Sequence, residues 1–370
     1  MNFALVGYDE SAVEFAKAAM EDGAQLLAVV EQSGDGISRI FPGAQLLQNV
    51  EQLAGVAKLD FVILAGDHAG RADRLRFIQK LTPIDLVFSI PLGDKADIYH
   101  ELAIHAESAR IRVLPLIRDA VHPIIARFQK ELGSTLGAVQ WFESMHPLDL
   151  NVKGPSRFLD GWGWIRGLVG EIESVTATGS QPESPDADQV LVAVRCENGV
   201  LGNQRWIRTA DASHRWTLQT QHGRVEFTAS PHLEGALTVR STVEGTTTEF
   251  HFEPISFGKI WWQNWKALQA DQSRESMLPA IRQMEIAVGV VRSLKYQRTV
   301  ALDREEVSEE AVFKSIMAST GCGLVWVLIL LAILVAAKVP YVGYTVLPIL
   351  LMFLGFQLFG LVYRKKSNAE

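Results

Sequence analysis

The chain has 370 residues, of which 48% are hydrophobic, enough apolar material for two or three units with ordinary cores. A formal net charge of −7, with no basic run interleaved with aromatics ahead of the C-terminal end, excludes a phosphate-backbone footprint and so argues against nucleic acid as a partner. Two cysteines, Cys196 and Cys322, stand far apart, which excludes a disulfide framework or a zinc site and suits a reducing compartment.

The opening "MNFALVGYDE" has no basic n-region, and its short apolar run is broken by Asp9 and Glu10, so it is not read as a signal peptide. From Asn2 to about Leu116, short apolar runs alternate with amphipathic segments. "FALVG", "QLLAVVE", "DFVILAG", "DLVFSI" and "IRVLPLI" are predicted buried strands, and helical spacing begins at Glu10, near Glu51, at Arg71 and at Lys95. Strands alternating with helices predict an α/β domain over residues 1–118, built on a Rossmann-like, doubly wound parallel sheet.

A further helix is expected over roughly Ala120 to Leu132, leading into "GAVQWFES". From there the hydrophobic period changes to two, through "ESVTATG", "QVLVAVRCENGVLGNQRWIRT", "RWTLQTQHGRVEFTAS", "GALTVRSTV" and "TTEFHFEP". Turn signals at Glu197-Asn198-Gly199 and His222-Gly223 separate these runs. They predict a mostly antiparallel sheet in an α+β domain over residues 119–303, with helical patterning returning from Trp261. The tryptophan-rich stretches "GWGW" (Gly161 to Trp164) and "KIWWQNW" (Lys259 to Trp265) suit either a sugar-stacking surface or packing in a core or against a membrane.

The C-terminal region has a different character. A charged linker is expected over 304–316, within and beyond "DREEVSEE". Two apolar runs follow, Gly321 to Ala337 and Tyr341 to Tyr363, each long enough to cross about 30 Å of hydrocarbon as a helix. They predict a transmembrane hairpin over 317–363, with Tyr341, Tyr344 and Tyr363 near interfacial positions. Lys314 and the basic cluster Arg364, Lys365 and Lys366, in the tail 364–370, outweigh the lone Lys338 in the turn. Positive-inside counting therefore puts the tail and the soluble domains in the cytoplasm, anchored to the inner membrane.

The order of these elements over residues 2 to 303 resembles that of the Gfo/Idh/MocA oxidoreductases, which include glucose-fructose oxidoreductase and inositol dehydrogenase. The resemblance is carried by "FALVGYDESAVEFAKAAMEDGAQLLAVVE", "LDFVILAGDHAGRADRL", "LGAVQWFES", "GWIRGLVGEIESVTATG", "CENGVLGNQ", "HGRVEF" and the late "LPAIRQMEIAVGVVRSLKYQRTVAL". It implies a dinucleotide cleft followed by a substrate domain, and a sugar, cyclitol or related polyol as the small-molecule partner. It also implies a homo-oligomer formed through the sheet of the second domain.

In that family the nucleotide turn has the form GxGxxG/A, and here its three positions are Gly7, Asp9 and Ala12. The second glycine normally lets backbone amides approach the pyrophosphate at the helix N-terminus. Asp9 brings bulk and negative charge to that place, or serves as the N-cap of the helix beginning near Glu10. Glu31, at the end of the second strand, stands where an acidic residue accepts hydrogen bonds from the adenosine ribose and repels the extra phosphate of NADP, which favours NAD. It reads equally as a solvated glutamate. In "GDHAGRADR", Gly66 and Asp67 replace the usual Thr-Pro, and Arg71 falls where a histidine is often found. The cofactor-binding candidates are therefore Gly7, Asp9, Ala12, Glu31 and Gly66.

Catalysis in the family rests on a lysine in a Glu-Lys-Pro motif and on an Asp/His pair that handles the hydroxyl proton while hydride passes to the nicotinamide. The matching positions here are Ser89, Ile90 and Pro91, and Ser156 and Asp160, so both the lysine and the histidine are absent. Lys95 and Asp160 are the remaining catalytic candidates, each with an ordinary reading as a solvated lysine and as a turn or cap residue. His68, His122 and His146 are weaker alternatives. Two functions are consistent with this pattern: a membrane-anchored, divergent NAD(P)-dependent oxidoreductase-like protein, or a non-catalytic nucleotide- or sugar-binding or scaffold module of a membrane complex.

Overall fold

The structure is a computed structural model that describes residues 1–302, apart from 31–35, 57, 67, 82, 94, 149–153, 180–188, 210–212, 231–232, 234 and 271–276. The linker, hairpin and tail expected over 304–370 lie outside the described residues. Among the described residues no helix is long and apolar enough to cross a membrane.

Six strands form the first sheet: β1 (Asn2–Val6), β2 (Gln25–Val30), β3 (Gln45–Leu47), β4 (Phe61–Leu64), β5 (Asp85–Ser89) and β6 (Val113–Leu116). Their order is β3-β2-β1-β4-β5-β6 and every pairing is parallel. Phe3 to Val6 and Phe61 to Leu64 are wholly buried, as expected of strands covered on both faces. The strand order reverses at β1, so the switch point lies between the carboxyl ends of β1 and β4, where doubly wound sheets carry their ligands. β3 has no counterpart in the sequence reading: it spans three residues, two of them exposed, too few to show a period.

The expected helices of this domain are α1 (Glu10–Glu21), α3 (His68–Ile78) and α4 (Asp97–Ala109), joined by a one-turn α2 (Ile37–Ile40). The segment near Glu51 is a 3₁₀ helix, Val50–Gly55. The helix expected over 120–132 is divided into α5 (Arg118–Val121) and α6 (Ile124–Glu131). Pro123 explains the break, because a residue preceding proline is pushed out of the α region, and His122 has ψ 126.

The second sheet comprises β7 (Val139–Pro147), β8 (Ile172–Gly179), β9 (Gln189–Cys196), β10 (Leu201–Ile207), β11 (His214–Thr220), β12 (Gly223–Ala229), β13 (Leu237–Val243), β14 (Thr246–Phe252) and β15 (Val300–Ala301). The order is β14-β13-β12-β11-β7-β10-β9-β8-β15. One central pair, β7 with β10, is parallel and the others are antiparallel, so the sheet is mixed. The period of two is realised as alternating burial: Phe142, Ser144 and His146 of β7, and Val190, Val192, Val194 and Cys196 of β9, face the same covered side.

That side is covered by α7 (Trp162–Leu168) and α9 (Leu278–Tyr296), the latter tied to β8 by Ser293 Oγ, which accepts from the Ala177 amide at 2.8 Å. By contrast, α8 (Phe257–Ala270) returns to the first sheet and packs on α1. Gly258 sits directly on the Glu14 carbonyl, where a Cβ has no room. The rings of Trp262 and Trp265 lie 6.2 and 5.1 Å from Phe61. Burial decides between the two readings of the tryptophan stretches: Trp162, Trp164, Trp261 and Trp265 are each at most 1% exposed, so these rings pack and offer no stacking surface.

Candidate functional site

The chain leaves β1 through Gly7, at φ +77°, a left-handed conformation that glycine adopts without steric cost. The chain leaves β4 in the same way through Gly66, at φ +84°. A Cβ on Gly7 would lie 2.6 Å from the Ala65 carbonyl oxygen, and one on Gly66 would lie 3.0 Å from the Gly7 Cα. The two strand-end turns therefore touch backbone to backbone at the switch point, an approach that only glycine at both positions permits.

Asp9 follows as the N-cap of α1, with extended backbone (φ −154°, ψ 166°). Its Oδ1 accepts the Ala12 amide at 2.9 Å and the Ser89 hydroxyl at 2.8 Å. The N-cap reading of Asp9 is thus the arrangement found. The carboxylate nonetheless stays at the positive end of α1, where amides and helix dipole favour an anion. Ala12 is buried in the first turn, as its small side chain allows.

Arg71, in the first turns of α3, is 1% exposed. Its Nη1 donates to the carbonyls of Ser89 at 2.7 Å and Pro91 at 2.5 Å, and its Nη2 donates to the carbonyl of Gly66 and lies 3.5 Å from Asp9 Oδ2. One planar cation so joins the turns after β1, β4 and β5, a task that suits the fixed fork of a guanidinium. The Ile90-Pro91 peptide is cis.

At the catalytic positions implied by the family, Ser89 is buried and engaged with Asp9, Ile90 is half-buried, and Ser156 is half-buried in a short 3₁₀ segment. Asp160 is exposed and, of these positions, carries the one carboxylate. Lys95 is exposed ahead of α4. The structure does not draw Lys95 and Asp160 into a shared hydrogen-bonded group. Glu31, Asp67 and the side chain of His68 lie outside the described residues.

Beside Asp160, the neighbouring Asp119 is buried. Its Oδ2 accepts the Gly163 amide at 2.9 Å, and the Gln283 amide reaches its two oxygens at 3.0 and 3.1 Å. Burial, reinforced by the nearby Asp160 charge, raises its carboxyl to about 6. Asp119 therefore fixes the start of α7 to α9. Under the same turn, His146 Nδ1 lies 2.9 Å from His214 Nδ1 and its Nε2 lies 3.1 Å from Ser144 Oγ. Burial, together with the His214 neighbour, holds His146 well below its ordinary value. His122, whose ring centroid lies 5.0 Å from that of Trp164 at a tilted angle, is lowered by burial to about 4. His122 and His146 are buried, hydrogen-bonded core histidines. Among the described residues no group of three or more His, Cys, Asp or Glu is placed to hold a metal ion.

Sequence reasoning missed three parts of this arrangement: the bridging role of Arg71, its link to Asp9 through Ser89, and the Asp119–Gln283 pin. Their partners lie as much as 164 positions apart in the chain, and local spacing carries no signal for them.

No family model and no curated protein matches the sequence. Solved structures match the fold. A levoglucosan dehydrogenase in complex with NADH and levoglucosan superposes with a TM-score of 0.66 at 14% identity, covering 82% of this chain and 100% of that one. An oxidoreductase from Agrobacterium radiobacter, in complex with NAD+, L-tartaric acid and magnesium, gives 0.66 at 13% identity over 82% and 98% of the two chains. A UDP-N-acetylglucosamine 3-dehydrogenase from Acidithiobacillus ferrooxidans gives 0.63 at 14% over 80% and 99%. The chain thus has the two-domain fold of these oxidoreductases across nearly their whole length.

Proposed function

We propose that the chain is a divergent oxidoreductase-like protein of the Gfo/Idh/MocA type that acts on or binds a sugar, cyclitol or related polyol, anchored to the inner membrane by its C-terminal hairpin with the folded domains in the cytoplasm. The observation that carries this reading is the glycine-to-glycine contact of Gly7 with Gly66 at the switch point of a doubly wound sheet. The contact preserves the tight turn that a dinucleotide needs, although the chain departs from the family's sequence pattern beside it. Structural neighbours solved with NADH and levoglucosan, or with NAD+ and L-tartaric acid, support a dinucleotide and a hydroxylated small molecule as the ligand classes.

The residues present fit a dinucleotide in part. Gly7, Gly66 and Ala12 would hold the turn against it, and Glu31 would select NAD over NADP through the ribose. Asp9 does not fit the pyrophosphate, because its carboxylate already caps α1. When bound, NAD supplies hydride transfer; this chain's own residues would supply binding and orientation, with Asp160 available to take a proton. We further propose that the outer face of the second sheet, with Trp141, Met145, Leu191 and Ile207 half-buried and Leu201 exposed, joins two copies of the chain.

A non-catalytic binding or scaffold module is the second reading. It is favoured by Ile90 and Asp160 in place of the proton-handling lysine and histidine, and by the carboxylate at the phosphate position. Titration of the purified full-length chain with NAD and NADP, alone and with a panel of sugars, cyclitols and polyols, tests both, with NADH absorbance and thermal unfolding as readouts. A polyol-dependent rise in NADH supports the enzyme, whereas a rise in Tm with a polyol and no NADH supports the binding module. No response to any nucleotide or polyol contradicts both.

A further inference from the structure

We infer that Asp9, Arg71 and Ser89 form an internal replacement for the bound pyrophosphate, which keeps the three strand-end turns of the cleft assembled without a nucleotide and excludes phosphate from it. The inference rests on the dinucleotide reading of the cleft and concerns the regulation of that same site.

Three observations converge. The carboxylate lies at the α1 N-terminus, accepting the Ala12 amide at 2.9 Å, so it uses a donor of the helix turn that would face an anionic ligand. Its second oxygen lies 3.5 Å from a guanidinium that is 2% exposed, giving the negative charge a fixed and largely desolvated counter-charge. The Ser89 hydroxyl, at the position of the family's glutamate, donates to Asp9 at 2.8 Å across 80 positions of sequence. A phosphate has the same needs as this carboxylate: a helix N-terminus, a cation and a hydroxyl donor.

The chain supplies all three to its own side chain. An incoming pyrophosphate would therefore meet an ionised carboxylate held by a cap bond, a serine and an arginine, and the repulsion of like charges about 5 Å apart is equivalent to roughly a hundredfold in affinity. Arg71 is bound to three backbone carbonyls as well, so it stays in place when the carboxylate is removed.

The test uses the full-length chain and Asp9→Asn, which retains N-capping ability while losing the charge. Inorganic pyrophosphate and NADH are titrated separately, following thermal unfolding and NADH fluorescence. The wild type is expected to show no saturation by either ligand in the submillimolar range. Asp9→Asn is expected to bind pyrophosphate, and NADH at least tenfold more tightly than the wild type.

Pyrophosphate binding gained without NADH binding supports the internal anion and contradicts the dinucleotide reading. Tight NADH binding by the wild type, unchanged in Asp9→Asn, overturns the internal anion and leaves the dinucleotide reading standing. Absence of both ligands from a folded Asp9→Asn also overturns it. Asp9→Gly serves as the second variant should the asparagine protein fail to fold.

Discussion

The guanidinium of Arg71 donates to the backbone carbonyl of Ser89 at 2.7 Å, joining the start of α3 to the end of β5. Both groups are buried, and the same cation also serves Gly66, Pro91 and Asp9. Replacing it with an uncharged chain leaves buried carbonyls without their donor and Asp9 without its counter-charge. Arg71→Met is expected to cost about 3–5 kcal/mol, the range for removing one partner of a buried ionic network. Arg71→Lys, which keeps the charge but not the planar fork, is expected to recover only part of it. Urea denaturation measures both, and a loss below about 1 kcal/mol for Arg71→Met would contradict the bridging role.

The glycine pair gives a second prediction. Gly7→Ala or Gly66→Ala forces a Cβ into opposing backbone and into a left-handed conformation that alone costs about 1–2 kcal/mol. Each is expected to lower stability by more than that conformational figure. Gly43→Ala, with no atom within 4 Å of the added carbon, is expected to leave stability unchanged. Equal Tm values for all three variants would show that the turns separate readily.

Much of the fold was legible because its signals are local. Buried parallel strands such as "FVIL" are continuous apolar runs, and half-buried strands such as β9 alternate, so both periods survive in the sequence. The short edge strand β3 and the break at Pro123 were not, the first for want of length and the second because helical spacing continues across the proline. The turn residues Gly7 and Gly66 were named through the family resemblance, and Asp9 was named with both its readings. Arg71 was visible only as a lost histidine, since its role depends on carbonyls supplied by another turn.

Buried titrating groups give opposite pH dependences. His122 is lowered from 6.5 to about 4, and His146 is lowered well below 6.5. For each, the unfolded chain takes up a proton first, so the stability they contribute is complete above 6.5 and is lost as pH falls toward the folded value. Asp119 is raised from 3.8 to about 6, so its contribution is complete below 3.8 and is lost as pH rises through 6. Two histidines oppose one carboxyl, and the chain is expected to lose stability between pH 7 and 5. His122→Gln should flatten the decline in Tm and Asp119→Asn should steepen it. The reverse ordering would contradict these environments.

Gly161 supplies a further check on the start of α7. It has φ +87°, and a Cβ there would enter the ring of His146. Gly161→Ala is expected to disturb the His146–His214 contact and the Asp119 anchor together. Imidazole NMR of the variant should show the two ring signals shifted from their wild-type positions; unshifted signals would mean that the α7 turn stands clear of His146.

The membrane arrangement is tested by single cysteines placed in the turn near Lys338 and in the tail beyond Arg364, in a background lacking Cys196 and Cys322. Labelling of the turn alone from outside intact cells is the expected pattern. Labelling of the tail from outside would reverse the orientation, and labelling of neither would leave the apolar runs outside the role of a spanning hairpin.

The central claim, that a nucleotide-type cleft has its phosphate place filled by Asp9, is tested most directly by a crystal structure of Asp9→Gly grown with NADH beside one of the wild type grown identically. The account predicts pyrophosphate density over the first turn of α1, within reach of Arg71, in the variant, and the Asp9–Ala12 cap bond with no nucleotide there in the wild type. A wild-type structure with NADH at that turn and the Asp9 cap intact would contradict it.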